Sequence, residues 1–299
     1  MQILRTPESA FAQLKDYPFA PNYLLLQTGL QMHYVEEGNL QSEETILLLH
    51  GEPTWSYLYR KMIPLLAQAG YRVIAPDLIG FGKSDKIVEK EHYTYQQHVS
   101  WLTELVQKLN LQNITLFCQD WGGLLGLRIV AENPDRFKRV VAANTFLPTG
   151  DIAPSEAFLQ WQQFSQNTPN FEVGKIVSKG CVKPLDQAGI SAYDAPFPED
   201  SYKAAARIFP TLVPTNPQDP ATLPNRNAWQ VLQQWQKPFL TAFSDSDPIT
   251  RGGDRFFQKV IPGTKDQKHI TVEQAGHFLQ EDQPELLAKT IIQFIQDNP

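Results

Sequence analysis

Between residues 23 and 144, short apolar runs rich in branched side chains alternate with helix-length segments, and no other feature constrains this chain as strongly. The runs TILLLH (45–50), YRVIAP (71–76), ITLFC (114–118) and RVVAAN (139–144) suit strands buried on both faces of a parallel sheet. LQMHYVEE (30–37) alternates as a half-buried strand does. Helices are expected over 55–69, 95–109 and 122–132. Strand following helix in this way implies a doubly wound α/β sheet. The pattern stops near Pro148, where a proline-rich stretch begins. Only short helical pieces, such as 155–164 and 199–209, interrupt that stretch, so it reads as a helical insertion over 149–228. The alternation then resumes with a helix at 229–235, strand PFLTAF, a helix around 254–260, strand HITVE and a last helix over 284–297. The expected organisation is a core of 1–148 and 229–299 carrying an insertion.

Bulk properties narrow the function classes. Hydrophobic residues are 42% and charged residues 19% of 299, which supports a sizeable core. The net charge of −6 comes without a basic run, so no nucleic-acid partner is expected. Cys118 and Cys181 lie far apart and do not read as a disulfide framework, which points to a reducing, cytoplasmic setting. The first residues carry charges and prolines without an apolar segment of signal-peptide type. No stretch approaches the roughly 20 apolar residues that span a bilayer.

The chemistry starts at FCQDWGG. Cys118 and Gly122 are the small flanks that a sharp strand–turn–helix elbow needs, and Asp120 stands at its tip. A helix N-terminus beneath the tip favours a negative side chain there. The bland alternative is an Asp that only caps the helix. In such folds an acid and then a histidine follow the nucleophile, at the carboxyl ends of later strands. SDSDPIT offers Asp245 and Asp247 after one strand, and QAGHFLQED offers His277 after the next. Asp247, deeper in its loop and before Pro248, is the better acid, and Asp245 reads as a turn residue.

A serine at the tip would need a base to become nucleophilic. A carboxylate with an ordinary pKa of about 3.9 is already charged at neutral pH and can attack an alkyl carbon that bears a leaving group. His277 then deprotonates the water that cleaves the resulting ester, and Asp247 orients the imidazole. The backbone N–H groups of Trp121 and Glu52 are the expected oxyanion donors, with Gly51 allowing close approach. The indole of Trp121 offers an N–H and no acceptor, which suits a departing anion. Trp161 offers a second such donor, or a core anchor for the insertion. Phe164, Phe171, Val173, Phe278 and Leu279 are lining or core residues, and Asp77, Asp85 and His50 read as loop formers. His33, His92, His98 and His269 have no evident partners in the sequence.

HGEPTWSYLYRKM, DLIGFGKSD, CQDWGG, SDSDP and AGHFLQED together resemble the haloalkane dehalogenases, and the similarity runs over nearly the whole chain. The resemblance implies an α/β-hydrolase fold: a mostly parallel eight-stranded sheet flanked by helices, with a helical cap. It implies Asp120 as nucleophile, Asp247 as acid, His277 as base, Trp121 and Trp161 as halide ligands, and Glu52 at the oxyanion hole. The substrates would be a halogenated alkane and water, with no metal or organic cofactor and a monomeric chain. It is closest to the subfamily whose acid follows the seventh strand, since the position after the sixth is Asn144. Two rivals remain at this level. An epoxide hydrolase would use the same three residues plus cap tyrosines such as Tyr193 and Tyr202. A catalytically silent module on the same fold would use none of them.

Overall fold

The computed structural model describes residues 1–299. Its centre is an eight-stranded sheet. In chain order the strands are β1 (Asn22–Leu25), β2 (Gln31–Gly38), β3 (Thr45–Leu49), β4 (Arg72–Pro76), β5 (Ile114–Gln119), β6 (Phe137–Ala143), β7 (Phe239–Ser244) and β8 (Ile270–Val272). Across the sheet they run β8-β7-β6-β5-β3-β4-β2-β1, parallel except where β2 pairs with β1 and β4. Every residue of β3 and β5 is buried, because helices cover both faces there. Edge strand β1 alternates between half-buried and exposed. A two-residue ribbon pairs Ile3–Leu4 with Lys86–Ile87.

Register decides where the chemistry can sit. Leu49 on β3 lies opposite Cys118 on β5, which lies opposite Ala142 on β6. The three strands therefore end at one level, and the loops opened by His50, Asp120 and Asn144 leave the sheet side by side.

The helices follow from pattern and punctuation. Helix α1 (Ile63–Gln68) is preceded by a separate 3-10 turn, Ser56–Tyr59, where a single helix was expected. Pro64 has no N–H to give to the carbonyl of Arg60, so one helix cannot run through it. Helix α2 (Tyr95–Lys108) opens on Thr94, whose hydroxyl accepts from Gln97 N–H at 3.1 Å. Helix α3 (Trp121–Glu132) is buried over nearly its whole surface. Between β6 and β7 come α4 (Glu156–Asn167), α5 (Val173–Lys179), α6 (Gln187–Asp194), α7 (Ala204–Leu212) and α8 (Thr222–Leu232). Helix α8 starts well before the expected residue 229, because Pro224 falls in its first turn, where an N–H would go unpaired anyway. Residue 228, the expected end of the insertion, thus lies inside a helix. After β7 come α9 (Gly253–Val260), α10 (Leu279–Asp282) and α11 (Pro284–Asp297).

The helices after β6 are pinned to the core by specific bonds. The Trp55 indole donates to Ala192 O at 3.2 Å, and Trp229 donates to Leu147 O at 2.8 Å. On α10, the Asp282 carboxylate accepts from the N–H groups of Val182, Lys183 and Gly276. Its neighbour Glu281 accepts from Tyr193 at 2.6 Å and pairs with Arg60 and Lys61. No helix is long and apolar enough to cross a membrane.

Candidate active site

Asp120 ends β5 with φ 52° and ψ −128°, a conformation that is strained for any residue but glycine. The surroundings enforce it. A Cβ on Gly122 would come 2.0 Å from Leu49 O, and one on Gly51 would come 2.2 Å from Asp120 Oδ1. Asp120 N–H donates to Asn144 O at 3.0 Å, and the Thr145 hydroxyl donates to Asp120 O at 2.7 Å. The Asp120 side chain makes no capping bond to α3, so its carboxylate is left to face the cleft. Oδ1 accepts from Glu52 N–H at 2.8 Å, and Oδ2 lies 3.4 Å from His277 Nε2.

On its other side, His277 Nδ1 lies 3.1 Å from Asp247 Oδ2, without the alignment of a well-formed hydrogen bond. Asp247 is 2% exposed and also accepts from Ile249 N–H, Thr250 N–H and the Thr250 hydroxyl. Burial alone would raise its pKa, but the His277 charge and these donors outweigh that and hold it well below the usual carboxylate range. Burial likewise opposes charge on His277, and here the facing Asp247 and Asp120 win, raising the imidazole to about 10. Asp245 is a turn residue that takes Gln274 and Ala275 N–H groups.

Glu52 is 4% exposed, and its Oε1 has no hydrogen-bond partner. Burial and the Asp120 charge push its pKa well above the ordinary value, while His277 and the Trp161 indole pull the other way. Trp121, the first residue of α3, packs against the tilted rings of Tyr95 and Phe209 at ring distances of 5.1 and 4.6 Å. Trp161 on α4 is half-buried and stacks on Phe164 at 5.8 Å. Both tryptophans, with Glu52, Asp120 and His277, line one cleft of about 700 Å³, a size that suits a small organic ligand. Phe158, Phe164 and Val213 face the same space, as does Phe278. Phe171, Val173 and Leu279 are instead fully buried core residues.

Several residues here escaped the sequence reading. Asn144 Nδ2 donates to Ser244 Oγ, Gly276 O and His277 O, tying the ends of β6, β7 and β8 together. Thr250 and Gln119 grip Asp247 and His277 respectively. Only their adjacency to Asp120, Asp247 and the strand ends could have marked them. His33, expected to be without a partner, pairs with buried Asp77 at 2.7 Å. His50 is buried in its loop and accepts from Leu78 N–H at 2.9 Å. The cap tyrosines do not serve an epoxide: Tyr193 spends its hydroxyl on Glu281, and Tyr202 does not line the cleft.

Known proteins match this chain over most or all of its length. The pattern of the alpha/beta hydrolase fold family matches residues 44–284. A haloalkane dehalogenase of Psychrobacter cryohalolentis is 60% identical over 100% of both chains. One from Mycolicibacterium paratuberculosis is 50% identical, covering 99% of each. Among solved structures, the tetrameric haloalkane dehalogenase of Paraglaciecola agarilytica superposes with a TM-score of 0.92 at 38% identity, covering 99% of this chain and 98% of that one.

Proposed function

Since the chain belongs to the haloalkane dehalogenase family and is an enzyme that hydrolyses carbon–halogen bonds of haloalkanes, we propose that Asp120, His277 and Asp247 divide that reaction between them. The observation that carries the assignment is the line Asp120–His277–Asp247, with contacts of 3.4 and 3.1 Å, in which Asp120 and His277 line the cleft and Asp247 is buried behind the imidazole. Asp120 attacks the halogen-bearing carbon from behind the leaving group. A C–O bond forms as the carbon–halogen bond breaks, the halide leaves with the electron pair, and an alkyl ester remains. The indole N–H groups of Trp121 and Trp161 receive the halide. Two N–H donors in a site shielded from water stabilise a departing anion far better than they would in solvent.

Esterification removes the negative charge of Asp120. His277 then faces one carboxylate fewer, so its affinity for a proton falls and it becomes available as a base. Charge bookkeeping thus orders the two steps: the first prepares the catalyst of the second. Neutral His277 takes a proton from water, the oxygen attacks Cγ of Asp120, and the oxyanion meets the N–H groups of Glu52 and Trp121. Collapse releases the alcohol, and the proton passes to solvent. Buried Glu52, with an unpartnered Oε1, can hold the attacking water. No metal or organic cofactor enters this scheme.

The segment 149–228 would act as the cap that closes the cleft. One chain supplies every group named, so we take the monomer as the functional unit. The Paraglaciecola relative is a tetramer, and light scattering decides between the two for this chain. The unpaired Cys118 and Cys181 support a cytoplasmic setting.

The test is direct. Incubation with 1-bromobutane or 1,2-dibromoethane in weak buffer should release acid and bromide together. The His277→Phe variant should accumulate an alkyl adduct on the peptide that contains Asp120, read by mass spectrometry. An adduct on another peptide, or none, overturns the assignment.

A further inference from the structure

His277 has a third neighbour besides the two carboxylates. Gln119, the residue before the proposed nucleophile, is fully buried. Its amide nitrogen lies 3.1 Å from His277 Nε2 and also 3.1 Å from the backbone oxygen of His277. An amide –NH₂ carries two hydrogens, and here one meets each acceptor. The first contact is a hydrogen bond only when Nε2 carries no proton, as in the neutral ring. The single ring proton must then sit on Nδ1, beside Asp247. The reversed amide would put its oxygen against Nε2–H, but the same oxygen would lie against the carbonyl oxygen of His277. Asn144 already donates to that carbonyl at 3.1 Å, which does not remove the repulsion. Gln119 Oε1 is buried with no partner, so nothing outside the imidazole pulls the amide round.

We propose that Gln119 is a positioning residue for the second step: it holds His277 as the neutral, Nδ1-protonated tautomer, the form that can take a proton from water. This rests on His277 being the base of ester hydrolysis. The charged groups facing the ring are Asp247 on the β7 loop, Asp120 on the elbow and Glu52 on the β3 loop. In the free enzyme Asp247 and Asp120 outweigh the amide and favour the imidazolium. Once Asp120 is an ester, one of them is gone and the amide biases the ring toward the neutral form. The attacking water then displaces the Gln119 hydrogen from Nε2, while the second hydrogen keeps its hold on the backbone and the ring stays in place.

Gln119→Leu and Gln119→Met, two apolar replacements of similar length, should remove the bias. With either, the halide burst of the first turnover should still form. Hydrolysis of the alkyl-enzyme should lose rate on its acid side, the acid limb of kcat moving up by about 0.5 to 1 pH unit, with the plateau recovered at higher pH. KM should change little. Nitrogen NMR of His277 in the Asp120→Asn background should show Nδ1–H with Gln119 present, and a mixture of tautomers without it. An acid limb that does not move in a folded variant, or an unchanged tautomer, overturns the role of Gln119. Failure of His277→Phe to trap the ester overturns the premise instead, and the two failures are read from different variants.

Discussion

The floor and the roof of the cleft are built by opposite rules. On the floor each reacting group is held from several sides. Asp120 is bonded through its N–H, its carbonyl and its carboxylate, and Asp247 takes three donors besides facing His277. The roof is apolar and loosely covered. Phe164 on α4 is 42% exposed, and Ile152 just before it is 73% exposed. A bond-making step needs its atoms within a few tenths of an ångström, which only an over-determined backbone supplies. Choosing among apolar substrates needs shape, which adjustable side chains supply at small energetic cost. The floor should therefore govern rate and the roof should govern choice.

The hardest blow to that contrast falls on Asp120. Asp120→Asn should lower kcat by about 10,000-fold or more, measured as bromide release, because no other floor group can form the ester. The same variant sharpens the electrostatic half of the argument. With one carboxylate gone, the His277 pKa should fall from its raised value near 10, as followed by imidazole NMR. By the same reasoning ester hydrolysis in the native enzyme, which needs neutral His277, should be lost as pH falls through a value well below 10. Asp247→Asn should slow hydrolysis by roughly 100- to 10,000-fold and leave the ester detectable, since the imidazole loses its orienting charge. Trp161→Phe tests the border between floor and roof. One N–H to an anion is worth about 1.5–3 kcal/mol, so bromide affinity, read by tryptophan fluorescence quenching, should weaken about 10- to 100-fold. At the roof itself, Phe158→Ala should alter the preferred chain length about tenfold in kcat/KM on a bromoalkane series, with kcat for the best substrate nearly kept. A large loss of kcat from Phe158→Ala would erase the distinction.

The same contrast explains what could be read in the sequence. Asp120 and Asp247 announced themselves because each follows a strand buried almost throughout, and such strands leave apolar runs, whereas His277 follows the short edge strand β8, of which only Val272 is buried. The sequence alone places Asp120, Asp247 and His277 at three strand ends. The contacts of Gln119 and Asn144 stayed silent, because an amide inside or just after a strand carries no pattern. What matters about them is which neighbour they face, and that is fixed only when the strands align. The roof was less legible still. Helices α5 and α6 are short and separated by loops, and α8 begins seven residues before the expected 229, with Pro224 in its first turn. Sequence counts Tyr193 and Tyr202 but does not aim them, and only the bond from the Tyr193 hydroxyl to Glu281 fixes where the first points.

One joint has a practical corollary for rebuilding such enzymes. Asp282 grips both Gly276, next to His277, and the Val182–Lys183 turn of the insertion, while Phe278 N–H donates to Gly180 O at 3.3 Å. The proton acceptor and one hem of the roof are thus stitched by the same few residues. A chimera that imports a foreign roof must bring a matching 180–183 turn with it. Otherwise the graft will misalign the imidazole even though no residue of the transplanted piece touches it.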